Sequence, residues 1–572
     1  MQQLTEREVA KLVERGCSAE DWAQVFVAEG FDPAQLRSVH FGGRVEIAQR
    51  VRIARSYVAN YIIGDDTVIE DVTRLECRCE SSFANGVPVA TINENGGRTV
   101  KIYDELRAQT AYIWALYRHE SEMCSAIDRM VESYAQTKRS AMGRIGRGCS
   151  IIGARLIREV DIRDGVQIEG ASKIECATLM CESYVGVDVK MEQTIVAEGA
   201  RLDTGATLER CFVGECSIVA SGFSAIDSLI FASSHLENGE AAAIFAGAYT
   251  VSHHKSSLLI AGLFSFFNAG SGSNQSNHLF KCGAVHQALH PRGCKFASGA
   301  YVMSPAWEGA FTMVKGSHSK HHDTSVFPFS YLIEDGGRSL LMPAANLTSY
   351  GTERDMKKWS QRDRRVRRRD VINYEVHNPY LTSAMVRAVN TIHTLSEENP
   401  TAEQYMWERV VIKPSLMRRG LGLYNKAIAA SLGAMLSKGR FVEANPQGEW
   451  VDVAGAYLPM SLVREIIDDI GSGAIGRLSQ IDERFAEVAA RYDDYAYSYA
   501  YILLTQLLGA EPTAEQIAST IEAAEAAEAE LERMRESDRA RDCSLDMAVG
   551  YGADSLDEAV KEADFKSVRG LN

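Results

Sequence analysis

Apolar residues in the middle of the chain recur in short steps, unlike the period of a helix or of a long strand. Val160/Ile162 and Val166/Ile168 are six apart, as are Ala200/Leu202 and Ala206/Leu208. Val45/Ile47 and Val51/Ile53 start the same texture earlier, and Cys211/Val213 and Cys216/Ile218 continue it with a slip of one. Gly or Asp stands between the steps, as in IRDGVQIEGA and VAEGARLDTGATLERCFVGEC. A six-residue step of this kind predicts a parallel β-helix. Each short strand points one side chain into a narrow core, and each corner takes a residue that tolerates tight backbone geometry. Three steps make a coil of about 18 residues, and stacked coils lie about 4.8 Å apart. A β-sandwich would instead show strands of about five or six residues joined by turns such as Asn-Gly.

Helical periodicity takes over elsewhere. The first forty residues or so predict two short helices, because Thr5 with Glu8 forms a capping box and Ser18 with Asp21 a looser one. Leu106, Ile113, Leu116, Met123, Ile127 and Met130 recur at helical spacing, which places a helix over residues 103–135, inside the coils. Residues 380–440 and 459–509 read as helical, and Thr513 with Gln516 opens a further amphipathic helix. The expected fold class is mixed: a left-handed parallel β-helix with an inserted helix and a C-terminal α-helical domain. The expected division is N-terminal helices over 1–43, a β-helix over 44–354 interrupted at about 100–140, and a basic linker with a helical domain over 355–572.

A chain of 572 residues with 46% apolar and 24% charged residues is a globular protein of two or three structural units. Its net charge of −15 argues against general nucleic-acid binding. No run of eighteen or more apolar residues and no signal-peptide core occur, so a cytoplasmic protein with no membrane partner is expected. Twelve cysteines form no framework, and Cys77 and Cys79 do not match a CxxC pair. Cys149, Cys211 and Cys216 fall where the repeat takes small apolar residues, so reduced, buried thiols are expected.

Chemistry concentrates in residues 244–359, which hold eight of the thirteen histidines between His253 and His322. A histidine general base needs an orienting partner and donors for a developing oxyanion. Three sets qualify: His254 with Ser252 and Lys255; His278 preceded by Asn274, Gln275, Ser276 and Asn277; and His318, His321 and His322 with Asp323, which could hold an imidazole tautomer. Asn268, Lys281, Arg292, Lys295, Lys315 and Arg354 suit a phosphorylated or carboxylated substrate, or the phosphates of an acyl-CoA co-substrate. Residues 354–369 carry nine Arg or Lys against two Asp, and a solvated surface is the plain alternative there. His286, His318 and His321 are candidate metal ligands. A four-residue spacing on a strand spans roughly 13 Å, too far for one ion, so a divalent metal is the weaker expectation. The phosphate loop, the dinucleotide fingerprint and the nucleophile elbow are all absent.

The segments IGRGCSI, IRDGVQIEGA and VAEGARLDTGATLE resemble the left-handed β-helix (hexapeptide-repeat) superfamily over roughly residues 44–75 and 144–350. FAGAYTVSHHKSSLLIAG, FNAGSGSNQSNH and GTERDMKKWSQRDRR resemble a little-characterised bacterial branch of it. The resemblance implies acyl-type group transfer with a histidine base, acting on a small anionic or phosphorylated metabolite, and a homo-oligomer, a trimer in many members. It also admits a metal-dependent lyase or hydrolase on a carbonic-anhydrase-like scaffold, although the ligand spacing of those enzymes is not matched. The third reading is a non-catalytic metabolite-binding or scaffolding protein.

Overall fold

The computed structural model describes residues 1–276, 287–443, 448–542, 544 and 558–569. Its body is the parallel β-helix that the stepwise pattern predicts. Strands stack in parallel along three sides of a prism: side A through Gly143–Ile145, Phe245–Ala246 and Ala288–His290, side B through Ser150–Ile152 and Lys295–Phe296, and side C through Lys190–Glu192 and Tyr301–Met303. Ile157, Ile174, Met191, Leu208 and Ala225 lie one above the next on side C, so a coil closes in 17 residues instead of the expected 18. Two steps are six residues long and the step from side C to side A is five, as in Val196, Leu202, Leu208 and Val213, all buried inward. The slip at Cys211 therefore belongs to every regular coil.

The short corner has a backbone cause. Glu159, Cys176, Gln193, Arg210 and Asp227 occupy it at φ between 48° and 50°, seventeen residues apart. Left-handed backbone costs an L-residue about 1–2 kcal/mol, and the ladder hydrogen bonds on both sides hold it there. Inside the prism a column of Val and Ile closes the core. Cys149 and Cys211 are buried in it, whereas Cys216 is only half-buried at a corner.

The amino-terminal end forms one α-helix, not two. Thr5 caps α1 (Glu6–Glu14) reciprocally with Glu8, but Asp21 caps only the single 3₁₀ turn Trp22–Gln24. The chain joins the coils already at Leu36–Ile47. The inserted segment breaks into α2 (Ala108–Leu116) and α3 (Ser121–Lys138). After α4 (Tyr350–Gln361), the C-terminal region comprises α5 (Pro379–Glu398), α6 (Pro414–Leu436), α7 (Met460–Ser472), α8 (Leu478–Ala490), α9 (Tyr492–Leu508), α10 (Ala514–Asp542) and α11 (Glu558–Arg569). Two hairpins interrupt it, Tyr405–Trp407 with Val410–Ile412 and Trp450–Val453 with Ala456–Pro459. α10 lies along α6 so closely that a Cβ on Gly433 would stand 2.2 Å from the Ala524 Cβ.

These helices do not form a separate lobe. Side A turns Phe212, Phe231, Phe245 and Leu263 outward, and they share one buried apolar cluster with α2, α3, the second hairpin and α7–α9. Each buried Phe or Leu there contributes about 1.5–3 kcal/mol. Side C instead carries a solvent-facing charge ladder, in which Arg158 joins Glu76 and Glu175 and Lys173 joins Glu175 and Glu192. Among the described residues no helix is long and apolar enough to cross a membrane.

Candidate functional site

The prism core changes character near its C-terminal end. On side A the inward column runs Val196, Val213, Ile230, Ala246, Phe264 and then His290. Ala288 pairs with Ala306 in the next coil, so Glu308 follows in the register of His290. His322 precedes the bridge between Trp307 and Asp323, and on side C His318 stacks above Val302 and Gln275. The stacked coils thus gather His290, Glu308, His318, His322 and Gln275, remote in sequence, where the lower coils hold Val and Ile.

Glu308 is the centre of this group and is fully buried. His290 donates from Nδ1 to Glu308 Oε2 at 2.7 Å, and His322 donates from Nε2 to Oε1 at 3.0 Å. Burial alone would push the carboxyl up, but the two imidazoles outweigh it and hold Glu308 well below the usual carboxylate range. Around His290 the rings of Phe264, Phe267 and Phe296 stand with centroids 5.0, 5.8 and 5.0 Å away. Its Nε2 is buried with no hydrogen-bond partner among the described residues. Burial, reinforced by His322, lowers His318 to about 4. That ring is neutral and accepts from Ser339 Oγ at 2.8 Å while donating to the Lys315 carbonyl.

Beside this network lies a cavity of about 530 Å³ between side A and its helical cover. Trp307, Tyr112 of α2, Tyr117 just after it, Tyr380 of α5 and Trp450 of the second hairpin line it, and Glu308 adjoins it from side A with its carboxylate turned inward to the two histidines. Such a size and an aromatic lining suit a small organic ligand. Arg292, also in the wall, is fixed in place. Its guanidinium binds Asp452 at 2.7 Å and the carbonyls of Asn373 and Gly455, each at 2.7 Å, and lies between the rings of Phe266 and Tyr457. It is the clamp between prism and cover. Arg387, exposed at the cavity on α5, forms no ion pair among the described residues.

The sequence-predicted residues do not converge on one crevice. His322, His318 and Arg292 reach the region just described. Asp323 points elsewhere: its carboxylate accepts the Ser325 N–H at 2.9 Å and its carbonyl accepts from Trp407. His321 lends its carbonyl to Arg409. His254 and Lys255 are exposed at the corner between sides B and C, with the His253 ring 4.3 Å from His254 and 6.1 Å from His235. Asn268 is half-buried on side B and Asn274 on side C, while Gln275 points inward with both amide atoms unpartnered among the described residues. Lys315 lies 5.5 Å above the Tyr331 ring, Lys295 pairs with Asp355, and Arg354 approaches the same Asp355 at 3.3 Å. Asn277, His278, Lys281 and His286 lie outside the described residues. Among the described residues no group of three or more His, Cys, Asp or Glu side chains is placed to hold a metal ion.

Glu308 and the role of His290 escaped the sequence reading. The available clue was register: a charged residue eighteen after a histidine, at a step of the repeat that elsewhere takes an apolar side chain.

Residues 1–54 and 47–396 match a family described as "Domain of unknown function (DUF4954)", and residues 435–572 match "Domain of unknown function (DUF6819)". A protein of Treponema pallidum (strain Nichols), described as an uncharacterized protein, is 23% identical over 606 aligned residues, covering 88% of this chain and 82% of the relative. Among solved structures, LpxA from Acinetobacter baumannii matches 66% of this chain and 81% of its own at 8% identity, with a TM-score of 0.17.

Proposed function

The chain belongs to the DUF4954 family, and we propose that the cavity above side A binds a small organic molecule and acts on it. The observation that carries this reading is an aromatic-lined cavity whose floor, side A, covers the buried Glu308–histidine network. Aromatic walls favour an apolar or aromatic ligand body, and the negative charge of Glu308 beneath the floor favours an amine or a hydroxyl at the side A end of the ligand. Arg387 at the same cavity offers a partner for an anionic group on the ligand, which keeps an anionic metabolite within the proposal.

The reaction class we assign is acyl-type group transfer, as the resemblance to hexapeptide-repeat proteins implies. The acceptor head would lose its proton to the Glu308–histidine network as its lone pair attacks the carbonyl carbon of a thioester such as an acyl-CoA. The C–S bond then breaks and the thiolate takes a proton back. A panel of acyl-CoA thioesters, incubated with the full chain and a mixture of small amines and alcohols, should release free thiol. Glu308→Gln should reduce that release at least about 100-fold. Thiol release that survives Glu308→Gln unchanged removes Glu308 from the chemistry. No release from any thioester removes group transfer and leaves metabolite binding, a second reading that the complete burial of His290 and Glu308 favours.

A further inference from the structure

The run DRRVRRRD, residues 363–370, is not a solvated tail. Glu215, buried on the prism, accepts the backbone N–H groups of Arg367, Arg368 and Arg369 at 3.0, 3.1 and 2.7 Å. Two of the arginines are anchors. Arg365 turns inward to Asp363 and the Asp370 carbonyl, and Arg369 binds Glu198 and Glu105. Arg368 is held at φ 51°.

The remaining side chains are displayed outward by this frame. Arg362, Arg364, Arg367 and Arg368 are exposed, and none of them forms an ion pair among the described residues. The nearby acids are already engaged: Asp363 by Arg365, Glu198 and Glu105 by Arg369, Glu215 by backbone, Asp355 by Lys295 and Arg354. Positive charge is locally unbalanced, for besides burial it is Arg354, Arg362 and Lys295 that lower the adjacent Lys358, against Asp355. Between the arginines stands Val366, 83% exposed, the most exposed large apolar residue of the described chain.

We propose that this rigid loop docks the protein on an anionic bilayer surface, its arginines on lipid phosphates and Val366 entering the headgroup boundary. An apolar tip ringed by guanidinium groups suits an interface with an apolar side. A nucleic-acid backbone or an acidic peptide has no use for a projecting Val, and no exposed aromatic accompanies the run to stack on bases. The net charge of −15 does not forbid contact, because charges beyond about 8 Å are screened at physiological salt. Peripheral docking needs no spanning segment, so the absence of apolar runs does not bear on it.

Co-sedimentation of the full chain with phosphatidylcholine vesicles, with and without about one-third phosphatidylserine, tests the proposal. Binding should require phosphatidylserine and fall about fivefold for each of Arg364→Ala and Arg367→Ala. It should weaken further in Val366→Asp and disappear at high salt. None of these side chains forms an ion pair or side-chain hydrogen bond among the described residues, and circular dichroism checks that the variants are intact. No binding to phosphatidylserine vesicles, or binding that Arg364→Glu/Arg367→Glu leaves unchanged, overturns the proposal. Tighter binding to single-stranded RNA or to a poly-glutamate peptide than to the vesicles overturns the assignment of the occupant.

Discussion

Glu308 stays ionised where burial should neutralise it, because imidazole N–H groups occupy both of its oxygens. Removing one side of such a buried set leaves the other uncompensated, so Glu308→Ala should cost about 3–5 kcal/mol in urea unfolding. The carboxylate contributes stability in full above its ordinary value of 4.5, and that contribution drains as pH falls below it. His318 adds a second window with the same sign. Its folded value of about 4 lies below the ordinary 6.5, so the unfolded chain takes up the proton first, and stability falls between pH 6.5 and about 4. The loss amounts to about 3 kcal/mol. Urea midpoints taken across that window should slope in the wild type and be flatter in His318→Asn; equal slopes would place the titrating group elsewhere. His322 was legible from sequence as part of a histidine-rich stretch, but Glu308 was not. A lone glutamate in AWEGA has no local mark of function until the coil register sets it above His290.

At the scale of elements, corners and clamps decide the coil. Gln193 holds φ 50° at the short corner without a side-chain partner among the described residues. Glycine relieves the left-handed cost but adds unfolded-state freedom, so Gln193→Gly should stabilise by up to about 1 kcal/mol in thermal or urea melts. A β-branched Val there should destabilise. Arg292 joins prism to cover through Asp452 and two carbonyls, and its loss strands a buried carboxylate. Arg292→Ala should cost about 3–5 kcal/mol by the same urea assay. The six-residue step was readable because inward positions repeat as Val, Ile, Leu or Ala. The 17-residue coil was not readable, since its five-residue corner is made by Glu159, Gln193, Arg210 and Asp227, ordinary residues in an unusual backbone state. The second N-terminal helix failed for a related reason: the Ser18–Asp21 pattern supplies a cap, and the chain turns into the sheet before a helix can follow.

Across the whole molecule, the helical region and the inserted α2–α3 segment complete the apolar cover of side A, which the coils alone would expose. A chain ended at residue 370 should therefore aggregate or bind a hydrophobic dye strongly, as light scattering and dye fluorescence would show, because Phe231 and Phe245 lose cover from the hairpin and α7–α9. A soluble, dye-silent product would mean that the coils are self-sufficient. Helix periodicity announced these segments but not their packing, for amphipathic faces carry no address. The cavity follows from that packing, with side A as its floor and the cover as its walls. Ala384 of α5 lines it from the cover side, and a tryptophan there would take up ligand space while leaving the prism sequence unchanged. Native mass spectrometry of gently purified protein reads the outcome directly. The wild type should carry a near-stoichiometric small molecule, released on denaturation, which Ala384→Trp lacks. An identical spectrum for both proteins, loaded or empty, would contradict a ligand in the Glu308 cavity.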